Sequence, residues 1–325
     1  MDTLKELNHH IITEFARNYN YSVVLNEEHG YINNIDEVIE YFKELVSPQI
    51  ELAFADKPEM VRRTYDDKIT VKAFFEYYKL NITFEPSDKT AYSGGMLPSS
   101  VYVHPIKGEC VCVPDIKLII KANNAINAMK TFSFCIGHEL THCYDLLEYA
   151  KETGQDPWYS IDRNKYFAIQ KSRNNSIQQN AKATANILYR LNRMERNAYI
   201  AQLRQELLDR KDEIKDSASA TEAIKNTESY KNFAYLENNI IYGICNVKDK
   251  ALQKGLIQYL NDNMGTKFTT YNQLKKYYLD RWQKWKNKYL STASKIAYDI
   301  FASDKRNLWL DSGMFGKEEP SITGK

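Results

Sequence analysis

The sequence predicts a mostly helical α+β protein, and three observations carry that expectation. Glycine and proline are scarce, 12 and 8 in 325 residues, which disfavours a turn-rich all-β architecture. Apolar residues recur at three- and four-residue spacing through most of the chain. One stretch, from Asn81 to Val113, breaks instead into short β-branched and aromatic runs bounded by Pro, Gly and Ser. The apolar share of 43% is ample material for a packed core.

Taken in order, Leu4, Leu7, Ile11, Ile12 and Phe15 form a helical stripe over residues 3–18. Asn34 to about Phe54 repeats the pattern, with Asn34 and Asp36 as capping residues. A third helix is expected from Glu59 to Tyr78, with Val71, Phe74, Phe75 and Tyr78 inward. ITFEP, SVYVHP and ECVCVP then read as strands, and SVYVHPIKGECVCVP as a hairpin turning near Lys107 and Gly108. The glycine-bearing AYSGGMLPSS before it is expected to be a mobile loop. From about Asn123 the chain turns helical, with one helix to about Thr153 and a polar, aromatic connection over 154–167. A long helix follows from Ala181 to about Ile214, then a small-residue break at Ser217–Thr221. Helices over Glu222–Cys245, Asp249–Asn263 and Thr270–Ser303 complete the set, and the tail GKEEPSITGK has a disordered composition. This divides the chain into an N-terminal helical region (1–80), a core (81–215), a helical C-terminal region (216–312) and a flexible tail (313–325).

Composition narrows the function. Lys and Arg number 44 against 42 Asp and Glu, so no global field draws in nucleic acid or an anionic membrane, and no nucleic-acid partner is expected. No run of about 18 apolar residues exists, so no transmembrane helix is expected. The opening MDTLKELNHHIITEF is acidic and amphipathic, unlike a signal peptide, and points to the cytoplasm. Cys110, Cys112, Cys135, Cys143 and Cys245 are odd in number and scattered, which suits packed thiols in a reducing compartment. Leu274, Tyr278, Trp282, Trp285 and Tyr289 make an aromatic stripe in the 270–303 helix. It reads as a helix docked on the body, with a surface for a protein partner as the alternative.

Chemistry concentrates in FSFCIGHELTHCYDLLEY, residues 132–149. His138 and His142 are four apart, so on a helix their imidazoles converge on one point. Imidazole nitrogens bind Zn²⁺ at about 2.0–2.1 Å. Glu139 lies one position round, where it can act as a general base toward a water activated by the metal. With six histidines in the chain, chance supplies HExxH in under about one percent of such sequences. The flanks FSFCIG and CYDLL are apolar, so both histidines are expected to be buried and in need of partners.

A catalytic zinc needs a third protein ligand. Asp145 shares the face of His138, but seven residues along a helix displaces it by about 10 Å. It suits an orienting or capping role, for example accepting the Nδ1 proton of His142. The better candidate is Glu195, which falls inside the apolar stripe of Leu188, Leu191, Ala198 and Ala201. An inward carboxylate is bound to a metal or paired, here with Arg193 or Arg196 as the alternative. Tyr199, four residues on, shares that face. It is one candidate donor to an oxyanion, with Tyr144 and Tyr92 as others.

HELTHCYD followed some fifty residues later by ERNAYIAQ resembles the gluzincin branch of the zincin metallopeptidases. Asp three residues after the second His is similar to lethal-factor and MtfA-like members. The resemblance implies a zincin-like core over 81–215 and zinc held by His138, His142 and Glu195. It implies Glu139 as base and a peptide or protein substrate. Thermolysin-like members carry Asp where this chain has Tyr199, so either Asp145 takes over that orienting role or the site is built differently. Zincins also place a small sheet before the HExxH helix, and its edge strand pairs with substrate; Ser100–His104 and Glu109–Val113 fall in that place. The rival class is a non-catalytic structural or interaction protein, such as a virion component, that keeps the fold.

Overall fold

The computed structural model of the chain describes residues 3–18, 35–155, 157, 190, 193–264 and 266–311. It is a mixed α+β structure in which helices dominate and two apolar cores lie side by side. Six strands occur in chain order: β1 (Val61–Lys68), β2 (Tyr77–Pro86), β3 (Ala91–Met96), β4 (Val101–Val103), β5 (Cys110–Cys112) and β6 (Asp115–Ala122). Four of them form a sheet in the order β1-β2-β6-β3, while β4 and β5 pair separately. β2 and β6 are parallel, with Leu80 opposite Ile116, Ile82 opposite Leu118 and Phe84 opposite Ile120. β1 and β3 flank them antiparallel.

Period-two alternation explains the central strands. Tyr78, Leu80, Ile82 and Phe84 point one way from β2, as Ile116, Leu118, Ile120 and Ala122 do from β6. Helices α2 (Ile35–Ala53) and α3 (Ala125–Thr153) cover that face with Val38, Ile39, Phe42, Phe132, Ile136 and Leu140. Gly137 lets the two helices approach, since a Cβ there would stand 3.1 Å from Ile39 Cδ1.

The second core is helical. It joins α1 (Thr3–Asn18), α4 (Arg193–Leu208), α5 (Ser217–Lys225), α6 (Glu228–Asn238), α7 (Lys250–Met264) and α8 (Tyr271–Asp311). The stripe Leu274, Tyr278, Trp282, Trp285 and Tyr289 is buried inside it, so α8 docks on its own chain. Lys286 of α8 is buried and joins Glu6 of α1 at 2.7 Å and Glu237 of α6 at 3.0 Å. Glu237 is also hydrogen-bonded by Thr3. Among the described residues no helix is long and apolar enough to cross a membrane. All five cysteines are free thiols.

Several expectations are corrected. Glu59–Tyr78 is not a helix: it forms β1, a bend and the start of β2. Phe75 and Tyr78 are buried as expected, but an extended chain carries them inward. β1 is polar except at Val61 and Tyr65, so pairing with β2 alone makes it a strand. AYSGGM is strand β3 rather than a loop. Gly94 sits at φ 145°, where a Cβ would overlap the Lys117 carbonyl of β6, so the glycine serves close strand approach. The hairpin near Lys107–Gly108 is present, with Gly108 at φ 67°.

Ser217–Thr221 is helical, because Asp216 and Ser219 close a capping box that starts α5. The expected Glu222–Cys245 helix is interrupted at Thr227, which caps α6 by accepting the Tyr230 N–H. Asn239–Ile244 continues it as a π-helical turn. The long helix expected from Ala181 ends at Leu208, and residues 181–189, 191 and 192 of it lie outside the described residues. So do most of the 154–167 connection, residues 158–167 and 156, and the tail from 312 onward.

Candidate metal centre

Helix α3 starts where Asn124 accepts the Asn127 N–H and closes at Gly154, whose left-handed φ of 63° completes the C-terminal turn. This frames the helix so that His138 and His142 fall mid-length, one turn apart, on the side packed against α4. Glu195 lies in the first turn of α4 and is 4% exposed; His142 is 8% exposed. His138 Nε2 stands 3.1 Å from His142 Nε2 and 3.7 Å from Glu195 Oε2, and His142 Nε2 stands 3.3 Å from Glu195 Oε1. Those separations scatter around about 3.4 Å, the edge of a tetrahedron whose ligand bonds are about 2.1 Å.

The electrostatics agree with the geometry. Burial, helped by His142, pulls His138 down to about 3, against Glu195 and Gln202. Burial also pulls His142 down, but the Glu195 carboxylate, Glu139 and Asp145 outweigh it and its pKa is raised. A proton on His142 Nε2 can be shared with Glu195 or His138, and a metal ion would take the place of that proton among the same three donor atoms. His138, His142 and Glu195 are thus a buried group positioned to bind a metal ion.

The remaining expected residues surround it. Glu139 Oε2 accepts the Met96 N–H at 2.8 Å, which fastens the carboxylate to the end of β3. Burial raises the Glu139 pKa, opposed by His142 and that N–H. The Tyr199 ring meets His138 edge to face at 5.5 Å, and burial raises its phenol pKa. Tyr92 of β3 packs edge to face on Phe134, and burial together with Cys135 and Tyr199 raises its pKa. Tyr144 packs on Phe74 in the first core, on another face of α3.

Asp145 is corrected. It does not accept from His142 Nδ1; its two oxygens take the Asn197 amide at 3.2 and 3.1 Å, which pins α4 against α3. Among the described residues neither His138 Nδ1 nor His142 Nδ1 has a hydrogen-bond partner. The Arg196 guanidinium lies 5.6 Å from the Trp285 ring, and Arg193's side chain is outside the described residues. Sequence reasoning missed Met96, Asn197 and Gln202. Only Gln202 left a signal, seven residues after Glu195 on one helix face.

Comparisons of the chain with protein-family models, curated proteins and solved structures find no match. The chemistry of the site therefore stands on its own geometry.

Proposed function

We propose that the protein is a zinc-dependent metallopeptidase of the gluzincin type. One observation carries the reading: Glu195 closes a buried three-donor group with both histidines of HELTH while Glu139 is held beside it by a backbone N–H. Two imidazoles and a carboxylate suit zinc among divalent ions. Bound there, the ion would supply Lewis acidity, polarising a substrate carbonyl and acidifying water.

The chain's own groups do the rest. Glu139 takes a proton from the attacking water and returns it to the leaving amine. Its raised pKa brings that exchange closer to neutral pH, and the Met96 N–H keeps Oε2 from swinging away. Tyr199, kept protonated by burial, is the phenol best placed to donate to a developing oxyanion. Substrate would align on β3 rather than on the β4–β5 hairpin. Leu97 N–H serves the Asp115 carbonyl of β6, whereas Met96 N–H points to Glu139, so the outer edge of β3 faces the site. An extended peptide added there gains main-chain bonds with little demand on its sequence.

The test is metal content and hydrolysis of a mixed peptide library by wild type, Glu139→Gln and Glu195→Ala. Wild type should carry one zinc per chain and cleave. Glu139→Gln should keep the zinc and lose on the order of 10²–10⁴-fold in kcat. Glu195→Ala should lose the zinc. Zinc-loaded wild type that cleaves nothing would favour the non-catalytic rival, and a wild type that takes up no zinc ends the reading.

A further inference from the structure

One face of α4 carries Glu195, Tyr199, Gln202 and Glu206, spaced by four, three and four residues. The first two already belong to the metal centre. Gln202 and Glu206 are also buried, and nothing in the chemistry above uses them.

Their bonds have a direction. Gln202 Nε2 donates to Glu206 Oε1 at 2.7 Å. Glu206 Oε2 accepts the Ser229 N–H at 3.3 Å, at the first turn of α6, where a carboxylate meets the positive end of the helix. Ser229 Oγ in turn donates to the Tyr199 carbonyl at 2.9 Å. With its nitrogen committed to a carboxylate, the Gln202 amide has one orientation, which leaves Oε1 as the free end.

Gln202 Oε1 is a buried acceptor without a partner among the described residues, and His138 Nδ1 is a buried atom in the same position. His138 turns Nε2 toward His142 and Glu195, so a metal on Nε2 leaves the ring proton on Nδ1. Gln202 lies one turn along α4 from Tyr199, whose ring packs on His138 at 5.5 Å. The orphaned donor and the orphaned acceptor complement each other.

We propose that Gln202 is a positioning residue of the metal centre: its Oε1 accepts the His138 Nδ1 proton, and Glu206, seated on the first turn of α6, holds the amide that way round. This rests on the metal reading above. It assigns to α4 both a ligand and the group that orients another ligand, a carboxamide serving where metal-bound histidines often use a carboxylate or backbone carbonyl.

The test uses the full chain and Co²⁺ as the probe, titrated by its visible absorption. Gln202→Met keeps the side chain's length and apolar bulk and removes the acceptor; Gln202→Glu restores an acceptor. Gln202→Met should bind Co²⁺ about 10–100-fold more weakly than wild type. Gln202→Glu should recover most of that loss. In Co²⁺-loaded wild type the His138 ring N–H should give a shifted proton resonance protected from solvent exchange, and Gln202→Met should lose that protection. Gln202→Leu repeats the measurement where the Met variant does not fold. Wild-type affinity and an unchanged N–H resonance in the acceptor-free variant overturn the assignment while leaving the metal reading intact. A wild type that does not bind Co²⁺, indistinguishable from Glu195→Ala, overturns both.

Discussion

Glu195 shows how far a single residue can be read from sequence. A carboxylate inside an apolar stripe has few fates, and the structure sets it between two imidazoles. His138 and His142 were legible for the same reason, since spacing of four fixes a shared helical face. Asp145 was not, because its partner depends on where α4 crosses α3, which no local pattern encodes; Asn197 reaches it first. Glu206 was overlooked although it lies on the same face as Glu195. Burial pushes its carboxyl up to about 7 from an ordinary value of 4.5, opposed by Gln202 and the Ser229 and Glu228 N–H groups. A raised carboxyl pKa means the folded state holds its proton longer than the unfolded chain. Stability from this group is therefore full below pH 4.5 and is lost as pH rises through 7. Denaturant unfolding of wild type and Glu206→Gln should diverge between pH 5 and 8. The difference should move in favour of the variant by on the order of 3 kcal/mol. A constant offset across that range would remove Glu206 from the titration.

Among the elements, helices were legible where one face is apolar throughout. The bounds of α1, α2, α3 and α7 fall close to those expected, and α8 only runs on past its expected end. Strands were harder. β1 has almost no apolar alternation, and β3 owes its place to glycines that locally read as a loop. Those glycines matter because β3 ends on the amide that holds Glu139. Gly94→Ala would place a methyl against the Lys117 carbonyl at a φ that L-residues avoid. The substitution should cost about 3 kcal/mol in unfolding free energy. Under the proposed function it should also lower peptidase turnover while leaving metal binding intact, since the candidate ligands sit on α3 and α4. Loss of zinc in a folded Gly94→Ala protein would contradict that separation.

At the scale of the whole molecule, α4 is the shared wall. Ile200, Leu203 and Leu207 pack into the helical core, while Glu195 and Asn197 face α3 of the other core. The Asp36–Arg204 pair adds a second tie, from α2 to α4. A metal at His138, His142 and Glu195 would bridge the two cores. Zinc at 1,000 times its Kd should thus stabilise the protein by about 4 kcal/mol, a gain read as a rise in Tm that chelation reverses. Glu195→Ala should show no such rise. This arrangement was the least legible from sequence, because the described ties between the cores, Asp36–Arg204 and Asp145–Asn197 among them, join residues far apart in the chain. Within the helical core the knot of Lys286 with Glu6 and Glu237 joins residues farther apart still. It imposes an order on synthesis. The residues of the sheet core, 35–153, leave the ribosome as one uninterrupted run and can settle as they emerge. Helix α1, made before the sheet core, must wait for α5 and α8, made after it, before its apolar face is fully covered. Through that interval Leu7 and Ile11 stay exposed, and a nascent chain paused before residue 286 is the form most in need of a chaperone.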